Sequence, residues 1–186
     1  MEDEIPEMEC IQVGSLDQLF PLVQKMRIMQ RTHNTLAKDF ETLVEIAKEN
    51  VEKENRIQPL IRACIKEFFS LVEADLYLIN QYLPYDGYDK KEALNKKFKK
   101  TYRHHSRSFK KQALQFQYQS KSYGRLYQLK LKRDAIVHPK GLETIDVKAA
   151  DLEEVVAVYE EYRNYIMQLM SNIGFSVELP NSFLLR

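Results

Sequence analysis

Apolar residues recur every three or four positions along most of the chain, and this spacing places them on one face of an α-helix. The clearest stripe consists of Ile61, Cys64, Ile65, Phe68, Val72, Leu76, Ile79 and Leu83. Pro59 suits the opening turn of this helix, and the turn-forming residues Pro84-Tyr85-Asp86-Gly87 end it. The pattern therefore predicts a long amphipathic helix between the two prolines.

The stretch before this helix carries two more apolar stripes. Ser15, with Gln18 three residues later, is typical of a helix start because a serine side chain caps backbone N–H groups. The stripes consist of Leu16, Leu19, Phe20, Val23 and Met26, and then of Leu36, Phe40, Leu43, Val44, Ala47 and Val51. Residues 31–34 between them are a break or a kink, so the pattern leaves open whether Ser15 to Lys53 forms one helix or two.

A further helix is predicted from about Lys90, with aromatic and apolar residues on one side. These residues are Leu94, Phe98, Tyr102 and Phe109. We expect the three aromatic rings to face the core. Tyr77, Tyr82, Tyr85 and Tyr88, in or near the preceding loop, either pack or contribute to an interface, and we expect them to pack. The periodicity weakens over 115–123, where we expect a loop or a bend.

Two more helices complete the pattern. The first runs over about 122–137 and ends near His138, because the residue before Pro139 avoids helical angles. The last begins at the acidic residue Asp151, which suits a helix N-terminus, and ends at Gly174.

These elements predict an all-α protein. Its 186 residues fit one domain, and we expect an antiparallel helical bundle of about five helices over residues 15–174. Residues 1–14 are acidic and predict a disordered N-terminal tail. Residues 175–186 form a C-terminal tail, either a short strand or an arm packed on the bundle.

The chain lacks the sequence signals of export. Its first nine residues are acidic where a signal peptide is basic and apolar, and no apolar run approaches the roughly 18 residues that span a bilayer. Cys10 and Cys64 form neither a metal-binding spacing nor a disulfide framework, and Cys64 lies on an apolar stripe. We expect a reduced, cytoplasmic location, no transmembrane segment, no metal and no cofactor.

The formal net charge of +1 hides a separation of charge along the chain. Residues 90–133 contain about 15 lysines and arginines against the acid Glu92, or roughly +14, and the remainder carries roughly −13. A basic segment of this kind suggests a polyanionic ligand, and we expect RNA as the partner. The candidate nucleic-acid-binding residues are Lys96, Lys97, Lys99, Lys100, Arg103, Arg107, Lys130, Lys132 and Lys140.

Arg133 falls on the apolar side of its helix, which is unusual for a charged residue. Leu126, Leu129, Arg133 and Ile136 follow one another at spacings of three or four residues, which place all four on one helical face. Because a buried guanidinium needs an acceptor, we expect it to pair with Asp75 or with a ligand phosphate. Glu73 and Glu67 are less well placed on the pattern of the facing helix.

His138, at the end of the same helix, adds a group that titrates near neutral pH. It could act as general base or acid on an RNA 2′-hydroxyl or on the leaving oxygen, with Arg133 stabilising the charge of the transition state. No acidic cluster with metal-binding spacing accompanies the pair, so we expect metal-free chemistry. The structural alternative is that Arg133 closes a buried ion pair with Asp75 and His138 caps the helix.

The segment Arg133-Asp134-x3-His138, before a final long helix in an all-α domain, resembles the signature of HEPN domains. In that family an arginine is followed by a polar residue, three further residues and a histidine. The resemblance covers residues 15–174. In HEPN toxins paired with a nucleotidyltransferase antitoxin, a tyrosine follows the histidine by two residues, where this chain has Lys140.

The resemblance implies a helical bundle that forms a homodimer. The two motifs meet at the dimer interface and form a composite, metal-independent endoribonuclease site, with Arg133 and His138 as catalytic residues and Asp134 orienting them. Many HEPN proteins are effectors of toxin–antitoxin, abortive-infection and other phage-defence systems. A cognate antitoxin or another protein partner is therefore expected.

A second reading is a non-catalytic helical module that binds nucleic acid or a protein partner. It explains the basic segment equally well and predicts salt-sensitive binding without turnover. A third reading is binding of the same lysines to an acidic membrane surface.

Overall fold

The computed structural model describes residues 9–52, 54–171 and 173–177. Within these ranges the chain forms six α-helices, a short 3-10 helix and two short strands. They are β1 (Glu9–Val13), α1 (Leu16–Glu49), α2 (Glu54–Tyr82), α3 (Leu94–Ser108), α4 (Gln112–Lys121), α5 (Tyr123–Val137), the 3-10 helix (Leu142–Ile145), α6 (Ala149–Met170) and β2 (Ile173–Val177). The prediction of an all-α helical bundle is confirmed, with six helices where about five were expected.

The long N-terminal region is one helix, α1, of 34 residues. The side chain of Ser15 caps it by accepting a hydrogen bond from the backbone N–H of Gln18 at 3.4 Å, as the sequence predicts. Residues 31–34 continue the helix without a break, and His33 within them is buried against α2. A polar residue in the buried face explains why the apolar stripe is interrupted there.

Helix α2 is the centre of the bundle and packs against α1, α3, α5 and α6. Its predicted stripe is buried from Ile61 to Ile79, and burial raises the pKa of the Cys64 thiol to about 11. The helix begins at Glu54, so the prediction that Pro59 lies in its opening turn is wrong. Ile57 is buried before the proline, and its burial keeps that segment in the helix.

The basic segment contains a helix that the apolar pattern does not predict. α3 begins at Leu94 rather than near Lys90, and α4 occupies most of the region expected to be a loop or bend over 115–123. The reason is that α4 turns a polar residue inward: the Gln115 side-chain oxygen accepts a hydrogen bond from the Ser106 hydroxyl at 2.7 Å. A buried amide satisfied by a buried hydroxyl leaves no apolar periodicity to detect.

Helix α5 ends where Pro139 predicts, with His138 as its C-terminal cap. The acidic start of α6 is also confirmed, because the Asp151 carboxylate accepts a hydrogen bond from the backbone N–H of Lys148 at 2.7 Å. α6 ends at Met170 rather than Gly174. The Lys111 ammonium donates to the carbonyls of its last turn and stabilises this end.

The two strands pair in parallel, with Glu9 opposite Ile173 and Val13 opposite Val177. The predicted disorder of residues 1–14 is therefore wrong for residues 9–13, because β2 supplies a hydrogen-bonding partner from the other end of the sequence. Residues 1–8 and 178–186 of the predicted tails lie outside the described residues. In the part of the chain that the structure describes, no helix is both long and apolar enough to cross a membrane.

Candidate active site and nucleic-acid interface

The guanidinium of Arg133 is partly buried at the end of α5 and contacts two carboxylates. One terminal nitrogen donates to Glu73 Oε1 at 2.8 Å and the other to Asp134 Oδ1 at 3.2 Å. The predicted pairing with Asp75 is wrong. Because neighbouring residues of a helix are rotated by about 100°, residues 73 and 75 of α2 face in nearly opposite directions, and only Glu73 faces α5.

Asp75 instead lies in the core and is fully buried. Both of its carboxylate oxygens lie 3.0 Å from His33 Nδ1, and the Tyr162 hydroxyl donates to one of them at 2.8 Å. The hydroxyls of Tyr162 and Tyr102 lie 2.7 Å apart, and burial raises the pKa of both tyrosines well above the usual value. This network is structural, and it satisfies the carboxylate without Arg133.

Asp134 links Arg133 to a second cation. Lys130 Nζ lies 2.5 Å from Asp134 Oδ2, one helical turn away. Burial opposes ionisation of the Asp134 carboxyl, but the hydrogen bonds from Lys130 and Arg133 outweigh it and hold the pKa below its usual value. The result is a row of alternating charges, Glu73, Arg133, Asp134 and Lys130, that fixes the position of the guanidinium.

His138 lies just beyond this row with an exposed side chain. Its backbone N–H donates to the carbonyl of Asp134 at 2.9 Å and closes the last turn of α5. The three predicted catalytic residues are therefore brought to the same end of one helix. They combine an imidazole open to solvent with a guanidinium held in place by carboxylates, which are groups suited to proton transfer and to stabilising an anion.

Three exposed apolar residues lie near His138 in the sequence. Leu131 lies about two turns before it on the same face, Val137 precedes it, and Leu142 lies on the 3-10 helix that contacts α5. Leu142 is 84% exposed, the largest value among the exposed large apolar residues of the described chain. Single exposed apolar residues are ordinary. These three, two on α5 and one on the 3-10 helix, are the candidates on this part of the chain for contact with another molecule.

Five of the predicted nucleic-acid-binding residues line one open groove. These residues come from the first half of the basic segment, before α5 begins. The groove has a volume of about 730 Å³ and runs along α3 beside the loop that follows α2. Its cations are Lys96, Lys99, Lys100, Arg103 and Arg107, and Pro84, Tyr85, Asp86 and His104 complete the lining. We call this feature the α3 groove.

The other predicted nucleic-acid-binding residues lie elsewhere. The Lys97 ammonium donates to the Lys90 carbonyl at 3.2 Å. Lys130 pairs with Asp134, Lys132 pairs with Asp151, and Lys140 is exposed two residues after His138. The structure thus divides the predicted set between the α3 groove and the end of α5.

The aromatic residues are arranged as predicted in the core, and in the loop the Tyr85 ring packs against Tyr88 and His104. Phe98, Tyr102 and Phe109 are buried, whereas Tyr85 is half-buried and lines the α3 groove. The adjacent histidines face different ways: His104 lines the groove and His105 is buried. Among the described residues, no group of three or more His, Cys, Asp or Glu side chains is placed to hold a metal ion.

Comparison of the chain with models of protein families, with curated proteins and with solved structures found no match. The two surfaces of this chain are therefore the basis for a proposed function.

The two surfaces are separated along α5. Lys99 Nζ of the α3 groove lies 5.1 Å from the ring centroid of Tyr123, the first residue of α5. His138 caps the other end of that helix, about 22 Å further along its axis at 1.5 Å per residue. Within one protomer, the α3 groove and the end of α5 are therefore distinct sites.

Proposed function

We propose that this chain is a metal-independent endoribonuclease of HEPN type that acts as a homodimer. Arg133 and His138 of both protomers form the site, and Asp134 positions Arg133. The observation that carries the proposal is the C-terminal part of α5, which presents the exposed imidazole of His138 and, five residues earlier, a guanidinium held by Glu73 and Asp134. The motif that resembles HEPN domains supplies these residues.

The chemistry follows from the two kinds of side chain. The imidazole of His138 accepts the proton of an RNA 2′-hydroxyl, whose oxygen attacks the adjacent phosphorus, and the partner's His138 donates a proton to the leaving 5′-oxygen. The guanidinium of Arg133 stabilises the negative charge that builds on the phosphate oxygens. The products are a 2′,3′-cyclic phosphate and a free 5′-hydroxyl. No step requires a metal ion.

The exposed apolar residues Leu131, Val137 and Leu142 support the homodimer. Residues around a two-fold axis contact their own copies, so an interface on this face places the two His138 side chains opposite each other. A cognate antitoxin or another protein partner would inhibit the enzyme by covering the same face. In this proposal the enzyme acts in the cytoplasm as an effector of a toxin–antitoxin or phage-defence system.

The second candidate is a helical module that binds nucleic acid without cutting it. The observation that favours it is the compensation of Arg133, since Glu73 and Asp134 already contact this guanidinium within the protomer. It predicts RNA binding in the α3 groove and no turnover.

The test of the proposed activity is cleavage of an unstructured RNA by the purified protein in the presence of EDTA. We expect cyclic-phosphate ends, and a loss of rate of at least about 100-fold in His138→Ala. The matched control is Gln128→Ala, which alters an exposed side chain ten residues earlier on α5 and should cut like the wild type. Unchanged cleavage by a folded His138→Ala protein would overturn the proposal.

A further inference from the structure

The cations of the α3 groove form a continuous row on one face of a helix. Lys96, Lys99, Arg103 and Arg107 follow one another at intervals of three or four residues, and all four side chains are exposed. The row is about 16 Å long at 1.5 Å per residue. A ligand that matches it has several negative charges in a line.

These charges are only partly compensated by the protein itself. Lys100 Nζ lies 2.6 Å from Glu92 Oε1, but no carboxylate of the described residues lies within ion-pair distance of Lys96, Arg103 or Arg107. Asp86 is the acid among the lining residues. Because ordinary surfaces intersperse charges of both signs, an uncompensated row in a concave surface points to an anionic ligand.

The ring of Tyr85, from the loop that follows α2, also lines the groove. The Tyr85 hydroxyl lies 3.3 Å from the Thr101 hydroxyl, and its ring lies 5.5 Å from that of His104 and 5.7 Å from that of Tyr88. These contacts hold the Tyr85 ring in place beside the cations. A planar ligand group can therefore stack there at little cost in side-chain freedom.

We propose that the α3 groove binds single-stranded nucleic acid, with backbone phosphates on Lys96, Arg103 and Arg107 and an unpaired base against Tyr85. A single strand carries both features at once, whereas the bases of a duplex are already stacked on one another. A bilayer is flat and cannot enter a groove whose rings are half-buried. The inference rests on the proposed function only in taking the bound strand to be the substrate.

The test measures the binding of a labelled 12-nucleotide unstructured RNA to the His138→Ala protein by fluorescence anisotropy. We expect Arg103→Gln/Arg107→Gln to bind at least about tenfold more weakly at about 0.1 M salt, and the slope of log K against log salt to fall by about 1.4 because two phosphate contacts are lost. The control, Arg27→Gln/Lys38→Gln, removes two exposed charges from α1 and should bind like the parent protein.

The stacking arm compares two substitutions of Tyr85. Tyr85→Leu should weaken binding by about tenfold because the ring is lost, whereas Tyr85→Phe keeps the ring and should bind within about twofold of the parent protein. Circular dichroism and melting temperature confirm that each variant is folded.

Several outcomes would overturn the proposal. They are equal losses in the groove and α1 double variants, unchanged binding in Tyr85→Leu, equal affinity for a blunt duplex of the same sequence, and preferential binding to phosphatidylserine vesicles. RNA binding in the groove without cleavage by the wild type overturns the nuclease but supports this site. Cleavage with binding that ignores the groove substitutions overturns this site but leaves the nuclease.

Discussion

Glu73 and Asp75 are two residues apart on α2, yet their carboxylates have opposite environments. Glu73 lies at the surface and contacts Arg133, whereas Asp75 is fully buried between His33 and Tyr162. An ion pair near the surface adds little stability because water screens it, but removal of one member of a buried pair leaves the other unsatisfied.

We therefore expect Asp75→Ala to lower the free energy of unfolding by about 3–5 kcal/mol and Glu73→Ala to lower it by less than about 1 kcal/mol. Urea denaturation followed by circular dichroism measures both. Similar losses of unfolding free energy in the two variants would show that the buried network around Asp75 does not stabilise the fold more than the Glu73–Arg133 pair does.

His105 is a second buried group whose environment has a measurable consequence. Its two ring nitrogens have no hydrogen-bond partner among the described residues, and burial, with a smaller contribution from Lys111, lowers its pKa to about 3. Between about pH 3 and pH 6.5, His105 therefore stays neutral in the folded protein but is protonated in the unfolded chain. The contribution of His105 to the free energy of unfolding does not change above pH 6.5, and it falls as the pH decreases from 6.5 toward 3.

Between pH 7 and pH 5 this residue should reduce the free energy of unfolding by about 2 kcal/mol, from 1.36 kcal/mol per pH unit below the unfolded pKa. His105→Leu should lose correspondingly less stability over the same interval. Denaturation curves at the two pH values, with His104→Leu as the control, test this; equal pH dependence in the wild type and His105→Leu would contradict it.

At the scale of elements, a helix could be predicted where local sequence patterns determine it, but not where contacts with other helices determine it. The stripe of α2 and the end of α5 at Pro139 depend on local patterns and turn chemistry. α4 depends on a hydrogen bond between Gln115 and Ser106 of another helix, and the partner of Arg133 depends on the rotation of α2 relative to α5. Such contacts are tertiary, so spacing along the chain could place Arg133 and His138 in the C-terminal part of one helix but could not choose between Glu73 and Asp75.

The exposed end of α5 gives a test of the proposed homodimer. Val137→Asp should convert a dimer into a monomer in analytical ultracentrifugation and abolish RNA cleavage, because a charge at the two-fold axis faces its own copy. Phe116→Asp places the same charge on an exposed apolar residue of α4 and should leave both properties unchanged. Dissociation by Phe116→Asp alone would move the interface to α4.

At the scale of the whole molecule, the distance between the α3 groove and His138 determines how long a substrate of the proposed nuclease must be to contact both. A stacked strand advances about 3.4 Å per nucleotide, so about 22 Å along α5 corresponds to roughly six or seven nucleotides. Shorter strands reach only one of the two surfaces of a protomer.

We therefore expect Arg103→Gln/Arg107→Gln to raise KM for a 20-nucleotide RNA by about tenfold and to leave kcat/KM for a 4-nucleotide RNA unchanged. Steady-state cleavage of both lengths tests this, with Arg27→Gln/Lys38→Gln as the charge-matched control. Equal losses for both lengths would mean that these arginines act at the cleavage site itself.

The pairing of β1 with β2 has a consequence for how the chain is made. Residues 9–13 leave the ribosome before the six helices, but their parallel partner, residues 173–177, is synthesised only after all six helices. The helical bundle can thus assemble while β1 still lacks its partner. The pairing of β1 with β2 joins distant parts of the chain, so we expect it to be a late step in folding, after the helices have formed.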